Sequence, residues 1–119
     1  MANPNIVEVT SIYGKTAVLL PTTTATDIIV NSAGSGKIYK VNFLTIANVN
    51  GVAAADITAS IYRGSIEYKL AHTISVPADA ALILISKDTA VYLEEGDSLR
   101  LTASINSYLS AVSSYEYIG

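Results

Sequence analysis

Four groups of residues in this chain have types and spacings that could do chemistry. The run Gly34-Ser35-Gly36-Lys37 has the look of the end of a phosphate-binding loop, where glycine N–H groups cradle phosphates and a lysine reaches them. The complete motif needs a glycine where Asn31 stands, a hydroxyl residue where Ile38 stands, and a helix next. A strand-like segment follows instead, so the run reads as a loop entering a strand. His72 is the only histidine, and one imidazole cannot build a multi-histidine metal site. No serine has the surroundings of an activated nucleophile, so a Ser-His-Asp arrangement has no support. His72, between Ala71 and Thr73, reads as a half-exposed strand residue.

The acidic cluster Glu94, Glu95 and Asp97, with Asp88 nearby, could offer hard oxygen ligands to calcium. It lacks the alternating spacing of a calcium loop, and Asp, Glu and Gly are ordinary turn residues, so a solvated turn is the expectation. Tyr13, Tyr39, Tyr62, Tyr68, Tyr92, Tyr108, Tyr115 and Tyr117 make up all of the Phe, Trp and Tyr content but for a single Phe. Tyrosine joins a large apolar ring to a polar tip and suits half-wet surfaces and interfaces. Tyr115 and Tyr117 fall on one side of the last strand-like segment, opposite Val112, Ser114 and Ile118. A stacking platform for sugars is conceivable on such rings; packing within a sandwich is the plainer reading.

The elements that must position these residues are strands. Val, Ile, Thr and Tyr are abundant, no stretch sustains a 3.6-residue apolar period, and Gly, Pro, Asn and Asp recur at short intervals. Strands are expected near Ile6–Thr10, Lys15–Leu20, Thr26–Val30, Lys37–Asn48, Asp56–Arg63, Glu67–Val76, Ala81–Ser86, Ala90–Leu93, Ser98–Ile105 and Ala111–Ile118. Ile57, Ala59 and Ile61 alternate with Thr58, Ser60 and Tyr62; Leu99, Leu101, Ala103 and Ile105 alternate with Arg100, Thr102 and Ser104. That period of two describes antiparallel sheet with one buried face. Arg63-Gly64-Ser65 reads as a hairpin turn with Gly64 at positive φ, and Glu94-Glu95-Gly96-Asp97 as a tight link. The fold class is all-β: an antiparallel β-sandwich, jelly-roll-like or immunoglobulin-like, in one domain over residues 1–119.

Composition narrows the function classes. The chain has 119 residues, 50% hydrophobic and only 14% charged, which excludes a disordered chain. Seven Lys plus Arg against ten Asp plus Glu, with a pI near 4.9, argue against nucleic acid as a partner. With no Cys there is no disulfide framework, thiolate zinc site or thiol nucleophile. No apolar run approaches transmembrane length, so no membrane partner is expected. Met1–Asn5 shows no secretory pattern and is expected to be a mobile arm, in a protein made in a cytoplasm. No catalytic, cofactor or metal constellation stands out, and an enzyme is not expected.

The most informative feature is apolar character on both sides of a strand. In Ala81–Ser86, strict alternation sends Leu82 and Leu84 one way and Ile83 and Ile85 the other; Ala17-Val18-Leu19-Leu20 behaves similarly. A two-layer sandwich buries only one of those faces, so the second needs a cover, and a mean hydropathy of +0.41 points to a neighbouring subunit. Leu82, Ile83, Leu84 and Ile85, with Tyr115 and Tyr117, are the candidate interface.

Several segments carry a resemblance: Met1-Ala2-Asn3-Pro4-Asn5-Ile6-Val7, Ser11-Ile12-Tyr13-Gly14-Lys15, Ile74-Ser75-Val76-Pro77-Ala78-Asp79 and Ile85-Ser86-Lys87-Asp88-Thr89. Tyr92-Leu93-Glu94-Glu95-Gly96-Asp97-Ser98 and Ser113-Ser114-Tyr115-Glu116 extend it across almost the whole chain. Together they resemble small virion structural proteins of tailed bacteriophages, of the cyanophage and marine phage type. The resemblance implies a non-enzymatic particle component without a cofactor, located in the virion. Its implied role is a capsid decoration (cement) protein capping capsomer junctions, partnered by the major capsid protein or another virion protein. The alternatives are a tail, neck, baseplate or fibre component, or a sugar-binding adhesin module. A homo-oligomer is expected, a trimer in particular, because decoration proteins often sit at local three-fold axes.

Overall fold

The computed structural model describes Asn5, Glu8 and residues 11–119. The expected arm at 1–5, apart from Asn5, and the strand expected at 6–10, apart from Glu8, lie outside the described residues.

Among the described residues, nine strands form two antiparallel sheets. They are β1 (Ile12–Leu19), β2 (Thr26–Val30), β3 (Ile38–Asn48), β4 (Ala55–Arg63), β5 (Ile66–Val76), β6 (Ala81–Ile85), β7 (Val91–Leu93), β8 (Ser98–Ala103) and β9 (Leu109–Ile118), with a 3₁₀ turn at Lys87–Thr89. The larger sheet runs β1-β9-β3-β6, with β7 also paired to β3; the smaller runs β2-β8-β4-β5. Apart from the β4–β5 hairpin and the β6–β7 break, each connection crosses from one sheet to the other. This is the strand order of an eight-stranded jelly roll whose sixth strand is split into β6 and β7 by the 3₁₀ turn. It differs from the immunoglobulin arrangement, which leaves the jelly roll as the form of the expected sandwich.

Between the sheets, alternate residues meet as the sequence pattern requires. Val41, Leu44 and Ile46 of β3 and Leu109 and Ala111 of β9 face Ile57 and Ala59 of β4 and Leu99 and Leu101 of β8 in one core. Ile105, by contrast, lies past the end of β8 and is exposed. The hairpin from β4 to β5 pairs Arg63 with Ile66, so its loop is two residues, Gly64 at φ 58° and Ser65 at φ 64°. Two positive φ values in succession match the right-handed twist of the strands and define a type I′ turn.

Strict alternation fails at β6. Leu44 pairs with Ile85 and Thr45 with Ile83, so β6 carries one extra residue, Leu84, against β3. Ile83 and Ile85 therefore leave opposite faces instead of sharing one. Ile85 is 1% exposed and belongs to the core, whereas Ile83 is 61% exposed on the far side. Leu82 and Leu84 pack partly buried against the core. Of the four β6 residues expected at an interface, Ile83 alone is exposed.

Candidate functional site

The outer face of the larger sheet is the surface whose chemistry stands apart. Register places Val18, Val112, Thr45 and Ile83 in one row across β1, β9, β3 and β6. Thr16, Ser114 and Phe43 form the next row, and Ser110, Ala47 and Ala81 flank the first on its other side. Residues directly opposite in a sheet project to the same side, so these side chains make one surface. Val18 is 73% exposed. None of the three rows carries a charge; charged residues begin only at the row of Glu116 and Lys40. There Asn42 Nδ2 donates to Glu116 Oε1 at 3.0 Å. A shallow concavity at the end of β1 is lined by Val18, Leu19, Leu20 and Ser110.

The same chemistry continues onto one end of the sandwich. The connections β1–β2, β3–β4, β5–β6 and β8–β9 gather there, and Asp79 is their one charged residue. Leu20, Val49, Val52 and Ile105 are exposed on these loops. Asparagines organise the longest of them. Asn50 Oδ1 accepts from Val52 N and Ala53 N, and buried Asn48 donates through Nδ2 to the carbonyls of Ala53 and Val76. Satisfied backbone holds Val52 outward on a shaped loop rather than a loose one.

The opposite face contrasts in charge. On the outer surface of the smaller sheet Arg100 Nε donates to Asp27 at 2.9 Å, and its guanidinium lies 3.7 Å over the Tyr62 ring. The Asp27 hydrogen bond raises the Arg100 pKa further above its ordinary value. Glu67 accepts from Ser60 Oγ at 3.0 Å and from Lys69 Nζ at 3.3 Å, and these bonds hold its carboxyl below its ordinary pKa. This face is built for water and ions.

The acidic turn expected to be a solvated link is a clamp. Asp97 is 2% exposed, and its carboxylate accepts from both Nε and Nη2 of Arg63 and from the backbone N–H of Glu94. The Asp97 hydrogen bond is the main cause raising the Arg63 pKa. Glu95 Oε2 accepts from the N–H of Gly36, tying the turn to the glycine loop. Buried Asn31 completes the tie: its Nδ2 donates to the carbonyls of Lys37 and Leu93, and its Oδ1 accepts from Ser35 Oγ. The carboxylates that could have held a cation hold an arginine and backbone instead. The glycine loop enters β3 as expected, and His72 is exposed on β5.

Tyr115 and Tyr117 lie away from the uncharged face. They pair with Val41 and Tyr39 of β3, on the side of the larger sheet that faces the core. Tyr39 stacks on Tyr115 at 5.4 Å between centroids and meets Tyr117 at a tilt at 5.1 Å, and Tyr13 meets Tyr117, also tilted, at 6.1 Å. Lys15 and Lys37 lie 5.3 and 4.8 Å from the Tyr117 centroid. Burial, and then the neighbouring tyrosines, raise the pKa of Tyr39 and Tyr115. These rings spend their faces on each other and on lysines, which is packing rather than a bare stacking platform.

Sequence reasoning singled out Ile83 and noticed the two-faced run at Val18, but it missed Phe43, Thr45 and Val112. A signal was present: alternate positions of β1, β3 and β9 are Thr, Val, Ser and Ala without a charge.

No protein-family model and no curated protein matches the chain. Among solved structures, a subunit of the Bacillus endospore appendages, described as disulfide-linked pili, superposes with a TM-score of 0.51 at 12% identity, over 99% of this chain and 96% of that one. A chain of the acid-stable capsid of the Helicobacter pylori bacteriophage KHP30 superposes with a TM-score of 0.52 at 8% identity, over 93% and 90%. At such identities the likeness is one of fold: this chain shares its sandwich with subunits of a pilus and of a phage capsid.

Proposed function

We propose that this protein is a non-enzymatic structural subunit of a phage virion, serving as a decoration protein on the head. The observation that carries the reading is the three uncharged rows on the outer face of the larger sheet, backed by a charged, ion-paired face on the smaller one. A subunit with that division seats its uncharged face on a shell and turns the other to water. The fold likeness to a phage capsid chain and the resemblance to small virion proteins support the same class. The mechanism is mechanical: a preformed module adds apolar contact at ~25 cal/mol per Å² removed from water, across junctions between capsid subunits. The chain has no cysteine, so the disulfide linkage named for the endospore pili has no counterpart in it.

The fold likeness to a pilus subunit favours a second reading, in which the same module builds a tail, neck or fibre element. Copy number per particle, measured by quantitative mass spectrometry, separates the two: hundreds mean decoration, tens or fewer mean the tail. Binding to emptied capsids tests the face itself. Val18→Lys and Ile83→Asp are expected to stay folded and lose binding, while Lys69→Glu on the opposite face retains it. The reverse pattern would remove the docking face from the proposal.

A further inference from the structure

The four sheet edges are not alike. Along β5, two register shifts leave extra residues against β4, Thr73 takes φ 47°, and Lys69 stands on the strand. Along β2, a shift falls between Asp27 and Ile29, and Asp27 is ion-paired. The edge made by β6 and β7 is short and broken by the 3₁₀ turn. Bulges, charges and brevity are the devices that keep an edge from pairing with another chain. β1 has none of these beyond Lys15: its eight residues pair with β9 in unbroken register, and no described strand pairs with its other side.

We propose that β1 pairs antiparallel with β1 of a second copy, forming a two-fold dimer in which the two larger sheets become one. Gly119 N donates to the carbonyl of Ser11, so Ser11 turns its backbone toward β9. Alternation then turns the N–H and C=O groups of Ile12, Gly14, Thr16 and Val18 outward. A strand offering such a row meets its own copy about a two-fold axis. Placing Thr16 on that axis opposes outward groups to outward groups and outer face to outer face. It also sets Lys15 against Ala17 of the second copy, whereas an axis at Lys15 would oppose two ammonium groups. Gly14 then faces Val18 of the second copy, and where a Cβ on Gly14 would stand there is open space to receive that exposed side chain. The pairing makes the two Thr16 rows continuous and brings the Val18 row of each copy up to the Gly14 row of the other, where Glu116 stands. A self-complementary edge makes two-fold symmetry, not the three-fold expected from shell positions, and the dimer stands independently of the virion reading.

Sedimentation velocity on the purified chain over a concentration series is expected to show a monomer–dimer equilibrium. A chain that stays monomeric up to its solubility limit overturns the proposal. In Thr16→Pro the lost N–H points away from β9, so the variant is expected to melt as wild type while its dimer Kd rises at least ~10-fold. A folded Thr16→Pro that dimerises like wild type overturns it. Should that variant fail to fold, Thr16→Cys decides, since it brings the only thiol in the chain. Copper phenanthroline in air is expected to link it into a disulfide dimer much faster than Lys87→Cys, because axis-related Cα atoms lie within disulfide reach. Equal rates overturn the pairing.

Discussion

Shortening Ile83 and Ile85 in turn tests the extra residue in β6 on which the position of the outer face depends. Two residues apart on an ordinary strand, these isoleucines would be equivalent; with Leu84 inserted against β3 they are not. Ile85 is 1% exposed among core residues. Ile85→Ala removes three carbons at ~0.8 kcal/mol each and leaves a cavity that the sheets cannot fully close, for a loss of ~3 kcal/mol. Ile83 is 61% exposed, so Ile83→Ala changes stability by ~0.5 kcal/mol or less. At ~4 °C per kcal/mol for a domain of this size, the Tm falls by ~12 °C in the first case and by ~2 °C or less in the second. Urea denaturation with both variants reads the same difference as a midpoint shift at constant slope. Two equal losses would show that β6 runs without a bulge, and the row Val18–Val112–Thr45–Ile83 would then have to be redrawn.

Asp97→Ala strips Arg63 and the Glu94 N–H of their buried acceptor, and chemical denaturation is expected to show a loss of ~2 kcal/mol, against ~1 kcal/mol or less for truncating half-buried Glu95, which frees only the Gly36 N–H. Glu67 holds a lowered pKa, so its contribution is present above the ordinary 4.5 and is lost as pH falls through the lower folded value. Glu67→Gln should accordingly flatten the acid side of the Tm–pH curve below 4.5 and leave the neutral region parallel to wild type; an unchanged acid limb would rule out the Ser60 and Lys69 bonds as its cause. Tyr39 and Tyr115 have raised values, so the native state keeps protons that the unfolded chain releases, and stability should fall as pH rises above 10. Tyrosinate absorbance should show a late-titrating fraction that Tyr39→Phe reduces.

Local pattern carried most of the secondary structure. Thr26–Val30 and Val91–Leu93 were legible within a residue, because β-branched and aromatic runs between turn residues have few other conformations open to them. The hairpin turn was equally plain from Gly64, which takes positive φ without a Cβ penalty, whereas the positive φ of Ser65 that makes the turn type I′ was not. Apolar character on both sides of the run Ala17-Val18-Leu19-Leu20 was visible in the sequence, and Val18 and Leu20 are exposed.

What the chain determined by itself, then, is an antiparallel sandwich with more apolar surface than its own core uses. The tertiary structure alone decided which side chains make up that surface. Register is set between strands far apart in sequence: Val18 meets Val112, and Thr45 meets Ile83, only when β1, β9, β3 and β6 lie side by side. A single inserted residue, Leu84, reverses the face of everything beyond it, which is why Ile85 went to the core while Ile83 stayed outside. The same nonlocal pairing gathered Tyr13, Tyr39, Tyr115 and Tyr117 into one ladder and gave the Asp97 carboxylate to Arg63. Those contacts depend on where the chain returns in space, and no window of neighbouring residues contains that information.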